Sequence, residues 1–142
     1  MDGLHPLRFE PGCNTPADVI RWQFRQNIER DVHWLKQGEP KNRPLAIVAG
    51  GPSLNDYWQE LVALDADVMA LNGAYQFMLD RWKAPEYFML LDARPQNVDF
   101  VRRTDEDTIH LIAAQCHPDI FDALLGDKVV LYLTTLDYAR ED

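Results

Sequence analysis

The sequence predicts an α/β domain built on a Rossmann-like, doubly wound, mainly parallel sheet of five strands, with an extra helix at the N-terminal end. Three observations carry this expectation. Five short apolar runs, at 45–49, 67–71, 87–91, 108–114 and 128–133, are separated by segments at 55–64, 75–82, 95–103 and 118–125 that read as helices of two to three turns. Apolar strands that alternate with helices imply a parallel sheet covered on both faces. Right-handed crossovers then favour a doubly wound arrangement.

The chain opens on residues 1–15, where Pro6, Pro11, Gly12 and Asn14 break any steady period and suggest an extended arm on the surface. Thr15-Pro16 has the form of an N-cap followed by proline at the first helical position. Val19, Trp22, Phe24, Ile28, Val32 and Leu35 then recur at mostly helical spacing until Gly38 and Pro40, which predicts one amphipathic helix. After the polar link at 39–44 the strand and helix alternation begins. The organisation expected is therefore an N-terminal arm and helix, 1–43, packed on a Rossmann-like domain, 44–142. The sequence stops soon after the fifth strand, which suggests a truncated or minimal version of a larger fold.

With 142 residues the chain can bury a proper core without metal or disulfide staples. A net charge of −9, with no basic cluster beyond Arg102-Arg103, repels long nucleic acid. A small phosphorylated ligand is compatible with that charge, because backbone N–H groups at a helix N-terminus bind phosphate without a basic surface. Cys13 and Cys116 lack the spacing of a zinc site and read as free thiols. With no signal-peptide pattern and no apolar run of membrane-spanning length, a cytoplasmic location is expected. Oligomeric state is open.

In open α/β sheets ligands bind beyond the carboxyl ends of the strands. The segments found there are Gly50-Gly51-Pro52-Ser53, Asn72-Gly73, Asp92-Ala93-Arg94, Gln115-Cys116-His117 and Thr134-Thr135. Gly50 and Gly51 allow close backbone approach and positive φ, and Ser53 can cap the next helix and offer its hydroxyl to an anion. An ordinary capped turn explains the same residues. The loop is neither a Walker A motif nor a full GxGxxG. Asn72 can meet a ribose or base, with Gly73 leaving room, or can make an Asx turn. Asp92 can bind a divalent metal such as Mg2+ or a sugar hydroxyl, or cap the helix near Pro95, and Arg94 can pair with it or neutralise phosphate. His117 is a candidate general acid or base, or simply a loop residue before Pro118. His110 and His33 are assigned to packing or solvent, and Trp22, Trp34, Trp58 and Trp82 to helix and core contacts.

The segments 45–54, 67–74 and 84–92 together resemble the 6-hydroxymethylpterin diphosphokinase MptE-like family. That family is similar to the motility accessory factor glycosyltransferases and, more distantly, to bacterial sialyltransferases that use CMP-sugars. The resemblance covers about residues 44–135: a strand ending in a Gly-Pro-Ser element, a second ending near Asn, and a Pro-Glu-Tyr segment leading to a strand that ends in Asp. It implies that Gly50, Gly51, Pro52 and Ser53 hold nucleotide phosphates, that Asn72 meets the nucleoside, and that Asp92 lines a catalytic pocket. Ala49 stands where the family usually has its first glycine, and relatives continue past the fifth strand into acceptor-binding elements. The function implied is a transferase acting on a nucleotide donor, ATP with Mg2+ or a CMP-sugar. The alternative is a non-catalytic Rossmann-like module that binds a nucleotide or a partner.

Overall fold

The computed structural model describes residues 14–81 and 83–134. Residues 1–13 of the expected arm, Cys13 among them, Trp82 and the segment from Thr135 onward lie outside the described residues. Helix α1 (Ala17–Ile28) leads to a two-residue strand β1 (His33–Trp34), and β2 (Leu45–Val48) follows the polar link. Then come α2 (Leu54–Ala63), β3 (Asp67–Leu71), α3 (Ala74–Arg81), β4 (Tyr87–Leu90), a 3-10 helix (Pro95–Val101), β5 (Ile109–Ala113), α4 (Pro118–Ala123) and β6 (Lys128–Tyr132).

The parallel α/β, Rossmann-like class is as expected, and the five apolar runs all form strands. The sheet has six strands, however, in the order β1-β6-β5-β4-β3-β2, every neighbouring pair parallel. The added strand comes from the end of the segment expected to be helical. His33 and Trp34 pair with Val130 and Leu131, and the Leu35 N–H donates to the Leu131 carbonyl at 2.8 Å. These bonds hold the chain extended where apolar spacing alone favours helix, so α1 ends at Ile28. It also starts without the expected threonine cap: Pro16 occupies the N-cap position and Thr15 precedes it.

The strand order bears on the winding. From β2 to β6 the strands lie side by side in chain order, with no reversal of the kind that double winding produces. Right-handed crossovers along a one-way order put the intervening helices on one face. Contacts of the 3-10 helix with both α3 and α4 agree with this.

That face carries Val68, Ala70, Phe88, Leu90, His110, Ile112, Val129 and Leu131, aligned by register and buried. Tyr75 of α3 stacks on Phe88 with ring centroids 4.8 Å apart. The opposite face is buried at Leu111, Ala113 and Tyr132 but opens toward the β2 edge, where Ile47 is 63% exposed. Of the tryptophans expected in the core, Trp22 and Trp34 are exposed and Trp58 is half-buried. Trp34 and His33 lie on a strand rather than a helix.

His110 sits among these rings. Its Nε2 lies 3.1 Å from the Tyr75 hydroxyl, which also accepts from the Asp105 N–H at 2.9 Å, and its Nδ1 is buried without a partner. Burial lowers its affinity for a proton, outweighing the raising influence of Asp127, of the Lys128 backbone and of Asp105. An unfolded chain therefore takes up a proton at His110 before the folded chain does. The stability it contributes is complete above the ordinary histidine value of 6.5 and is lost as pH falls below it toward the lower folded value. Chemical denaturation between pH 7 and 5 should show this loss, at most about 1.4 kcal/mol per pH unit, and His110→Gln should flatten it.

Candidate functional site

The expected site residues follow the carboxyl ends of adjacent strands. Gly50 follows β2, Asn72 follows β3, Asp92 follows β4 and His117 follows β5, and these strands are consecutive neighbours about 4.8 Å apart. A Cβ built on Gly50 would lie 4.0 Å from the Ala74 nitrogen, so the first loop approaches the N-terminal end of α3.

Within the first loop the local structure differs from the expectation. Gly50 and Gly51 do not adopt positive φ; among the described glycines that conformation belongs to Gly126. Ser53 occupies the N-cap position of α2 but makes no capping hydrogen bond. The physical reason is that the chain is already turning. Leu54 N–H donates to the Gly51 carbonyl at 3.0 Å and Asn55 N–H to the Pro52 carbonyl at 3.1 Å, so the Ser53 backbone is itself helical at φ −60°, ψ −20°. A serine caps from an extended backbone, which this one is not. The Ser53 hydroxyl is left exposed and uncommitted, and the N–H groups of Gly50, Gly51, Ser53, Gly73 and Ala74 form no hydrogen bond among the described residues.

The glycines are not required by packing either. A Cβ on Gly51 would meet only the Ser53 Oγ, at 3.8 Å, and one on Gly73 would touch Phe100 at 3.5 Å, an ordinary contact. Asn72 stands in the left-handed region at φ 51°, a conformation asparagine tolerates better than most residues. Its exposed side chain makes no Asx-turn bond.

Asp92 is committed. One carboxylate oxygen accepts from the Arg94 N–H at 3.0 Å, the other accepts from Arg94 Nε at 2.7 Å and pairs with Nη2, and the Asp92 carbonyl accepts from Asn97. Burial raises its carboxyl pKa, but the Arg94 hydrogen bonds outweigh that and hold it below the ordinary carboxylate range. His117 caps α4: its Nδ1 accepts from the Asp119 N–H at 3.3 Å, with the Asp119 carboxylate 3.4 Å away. A resident divalent cation does not fit this arrangement. No group of three His, Cys, Asp or Glu side chains among the described residues could hold one, and both Asp92 oxygens already face Arg94.

Two residues that the sequence did not bring forward shape this edge. Gln23 and Asn27, four apart on α1, are buried and reach across to the strand ends. Gln23 donates to the Ala93 carbonyl at 3.1 Å, and Asn27 donates to the carbonyls of Ala114 at 2.9 Å and Cys116 at 2.7 Å. Helix α1 thus closes over the ends of β4 and β5 and leaves the β2 and β3 ends open. The only advance signal was an amide pair at helical spacing, which exposed helices also carry. Beneath it the buried Cys116 thiol donates to the Leu90 carbonyl, and burial pushes its pKa up to about 12, so it stays protonated at neutral pH. A cleft of about 910 Å³ lies at the other end of the sheet, between Val32, His33, Phe121, Leu125 and Lys128, away from these loops.

Comparison with known proteins bears on the fold. The chain is similar in structure to a MAf glycosyltransferase from Magnetospirillum magneticum AMB-1, with a TM-score of 0.65 at 16% sequence identity. The similarity covers 88% of this chain and 21% of that one, so this chain spans about a fifth of the glycosyltransferase's length. No family model matches the sequence, and no curated protein is similar to it in sequence. At this identity the likeness establishes a shared fold. No helix among the described residues is long and apolar enough to cross a membrane.

Proposed function

We propose that this chain binds the phosphates of a nucleotide-sugar at Gly50, Gly51, Pro52 and Ser53, with Asn72 and Gly73 meeting the nucleoside, as the donor-binding unit of a glycosyl-transferring protein. The carrying observation is the approach of the first loop to the start of α3, where the N–H groups of Gly50, Gly51, Ser53, Gly73 and Ala74 lack partners among the described residues, beside glycines that neither backbone conformation nor packing requires. Unpaired N–H groups and the positive helix ends favour an anion there, and the missing Cβ atoms leave space for it. The fold shared with a MAf glycosyltransferase supports the same reading.

In such a transfer the bond between the sugar's anomeric carbon and the phosphate oxygen breaks, the nucleotide leaves with the electron pair, and the acceptor hydroxyl oxygen forms the new bond to that carbon while its proton passes to a base or to water. The chain's contribution at the phosphate loop is to stabilise charge on the departing group by fixed N–H dipoles. Asp92, ionised and oriented by Arg94, lines the acceptor side of this reading. His117 serves as proton acceptor there only by releasing its cap on Asp119.

A second reading, an ATP-dependent diphosphokinase of the MptE-like kind, calls for Mg2+ beside Asp92. The commitment of both Asp92 oxygens to Arg94 favours the sugar-nucleotide reading over it. Calorimetric titration with CMP, CDP, UDP and ATP, each with and without Mg2+, separates them. We expect a nucleotide without a required metal to bind, with affinity unchanged by EDTA. Binding of ATP alone, and only with Mg2+, would move the assignment to the kinase, and binding of none would remove both. Nucleotide binding without sugar transfer would identify a non-catalytic module.

A further inference from the structure

We propose that His110 is a proton-operated latch on the start of α3: when it takes up a proton, its bond with the Tyr75 hydroxyl is broken, the first turn of α3 loosens, and the anion site at Gly73 and Ala74 loses its fixed N–H groups. The consequence for nucleotide rests on the function proposed above, while the link from His110 to α3 does not. Tyr75 joins the two places. It is fully buried in the first turn of α3, and its backbone N–H donates to the Asn72 carbonyl at 3.3 Å. Its ring meets His110 edge-on with centroids 5.5 Å apart, and its hydroxyl lies 3.1 Å from His110 Nε2. That oxygen already accepts the Asp105 N–H, so its own hydrogen is available to Nε2, which accepts it when the imidazole is neutral. A proton on Nε2 puts a second donor where the acceptor was. The hydroxyl then turns its hydrogen away, toward Thr108, and the charged ring is left in a pocket where Nδ1 has no partner.

The elements around His110 do not compensate that charge. Asp105, in the turn before β5, and Asp127, in the turn before β6, favour the proton but are outweighed by burial. The Lys128 ammonium at the start of β6 is drawn to Asp107 at 3.1 Å, β4 presents the Phe88 ring, and α3 presents Tyr75. A fully buried imidazolium is therefore relieved by movement that admits water. Strand β5 is held between β4 and β6 along its whole length, whereas α3 has eight residues and starts at the open end of the sheet. The part that yields is Tyr75, and Gly73 and Ala74 move with it. By reciprocity, an anion held on those N–H groups keeps His110 neutral.

Nuclear magnetic resonance of the full chain, followed from neutral pH down to the onset of acid unfolding, tests the link without any ligand. The His110 ring should titrate below the ordinary histidine value of 6.5, with the Gly73 and Ala74 amides shifting at the same midpoint. Tyr75→Phe keeps the ring on Phe88 and removes the hydroxyl, so it should cut that amide response by about threefold or more, and His110→Gln should abolish it. Should His110→Gln fail to fold, the shared midpoint in the wild type and its loss in Tyr75→Phe carry the test. Amides indifferent to the His110 midpoint, a response undiminished in Tyr75→Phe, or a ring that stays neutral until the chain unfolds would overturn the proposal. Titration with UDP-glucose, whose diphosphate keeps one charge over this range, reads the consequence. Its affinity for the wild type should fall by about threefold or more on acidification, and that for Tyr75→Phe should not. An affinity that stays level or rises would overturn the gating, whereas binding of no nucleotide at any pH would remove the nucleotide reading and leave the amide response to decide the latch.

Discussion

Replacing Asn27 by leucine is expected to lower the unfolding free energy by about 3 kcal/mol, because it leaves two buried carbonyls, those of Ala114 and Cys116, without their donor. Each unsatisfied acceptor costs about 1–3 kcal/mol, and the added leucine methyl groups return part of that through apolar burial. For a chain of this size the melting temperature should fall by roughly 10 °C. The comparison to make is with Gln26→Leu, one position earlier on the exposed side of α1, where the change should stay within about 0.5 kcal/mol. Equal effects at the two positions would contradict the tie between α1 and the sheet. Because that tie closes the ends of β4 and β5, Asn27→Leu should also loosen the segment holding Asp92 and His117, detectable as faster amide exchange there.

The second large effect concerns ligand rather than stability. Gly51→Asp should weaken nucleotide binding at least tenfold, about 1.4 kcal/mol, by setting a carboxylate where the proposed phosphates lie. Folding should scarcely change, since a Cβ at that position meets only the Ser53 Oγ. Calorimetry for affinity and thermal melting for stability read the two separately. A variant that binds nucleotide as the wild type does would show that the phosphates are not held there, and one that loses stability instead would return the loop to the role of a simple turn. Gly51→Ala adds bulk without charge and should fall between.

The placement of the candidate site residues was legible in part. Reading the residues after each apolar run found Gly50, Asn72, Asp92 and His117, and the sheet does align the ends of their strands. What each residue does locally was not legible. Ser53 was expected to cap α2, but the preceding turn had already made its backbone helical. The glycines were expected to supply positive φ, whereas Asn72 is the site residue that adopts it. Asp92 suits a metal when read alone and turns out to be held by an arginine two residues on. A loop's composition says which hydrogen bonds are available, while the path of the chain selects among them.

The same division runs through the whole molecule. Sequence by itself determined the parallel α/β class, the strands from β2 to β6 and the loops that share one edge, because apolar periodicity is a local property and burial of strands enforces it. Only the tertiary structure decided β1, the one-way strand order, and the turning inward of Gln23 and Asn27. Each depends on a partner far along the chain: Val130 and Leu131 draw His33 and Trp34 out of a helical pattern, and the carbonyls of Ala93, Ala114 and Cys116 draw in two amides that would otherwise face water. Long-range pairing fixes such features, and no window of neighbouring residues contains both halves of the pair.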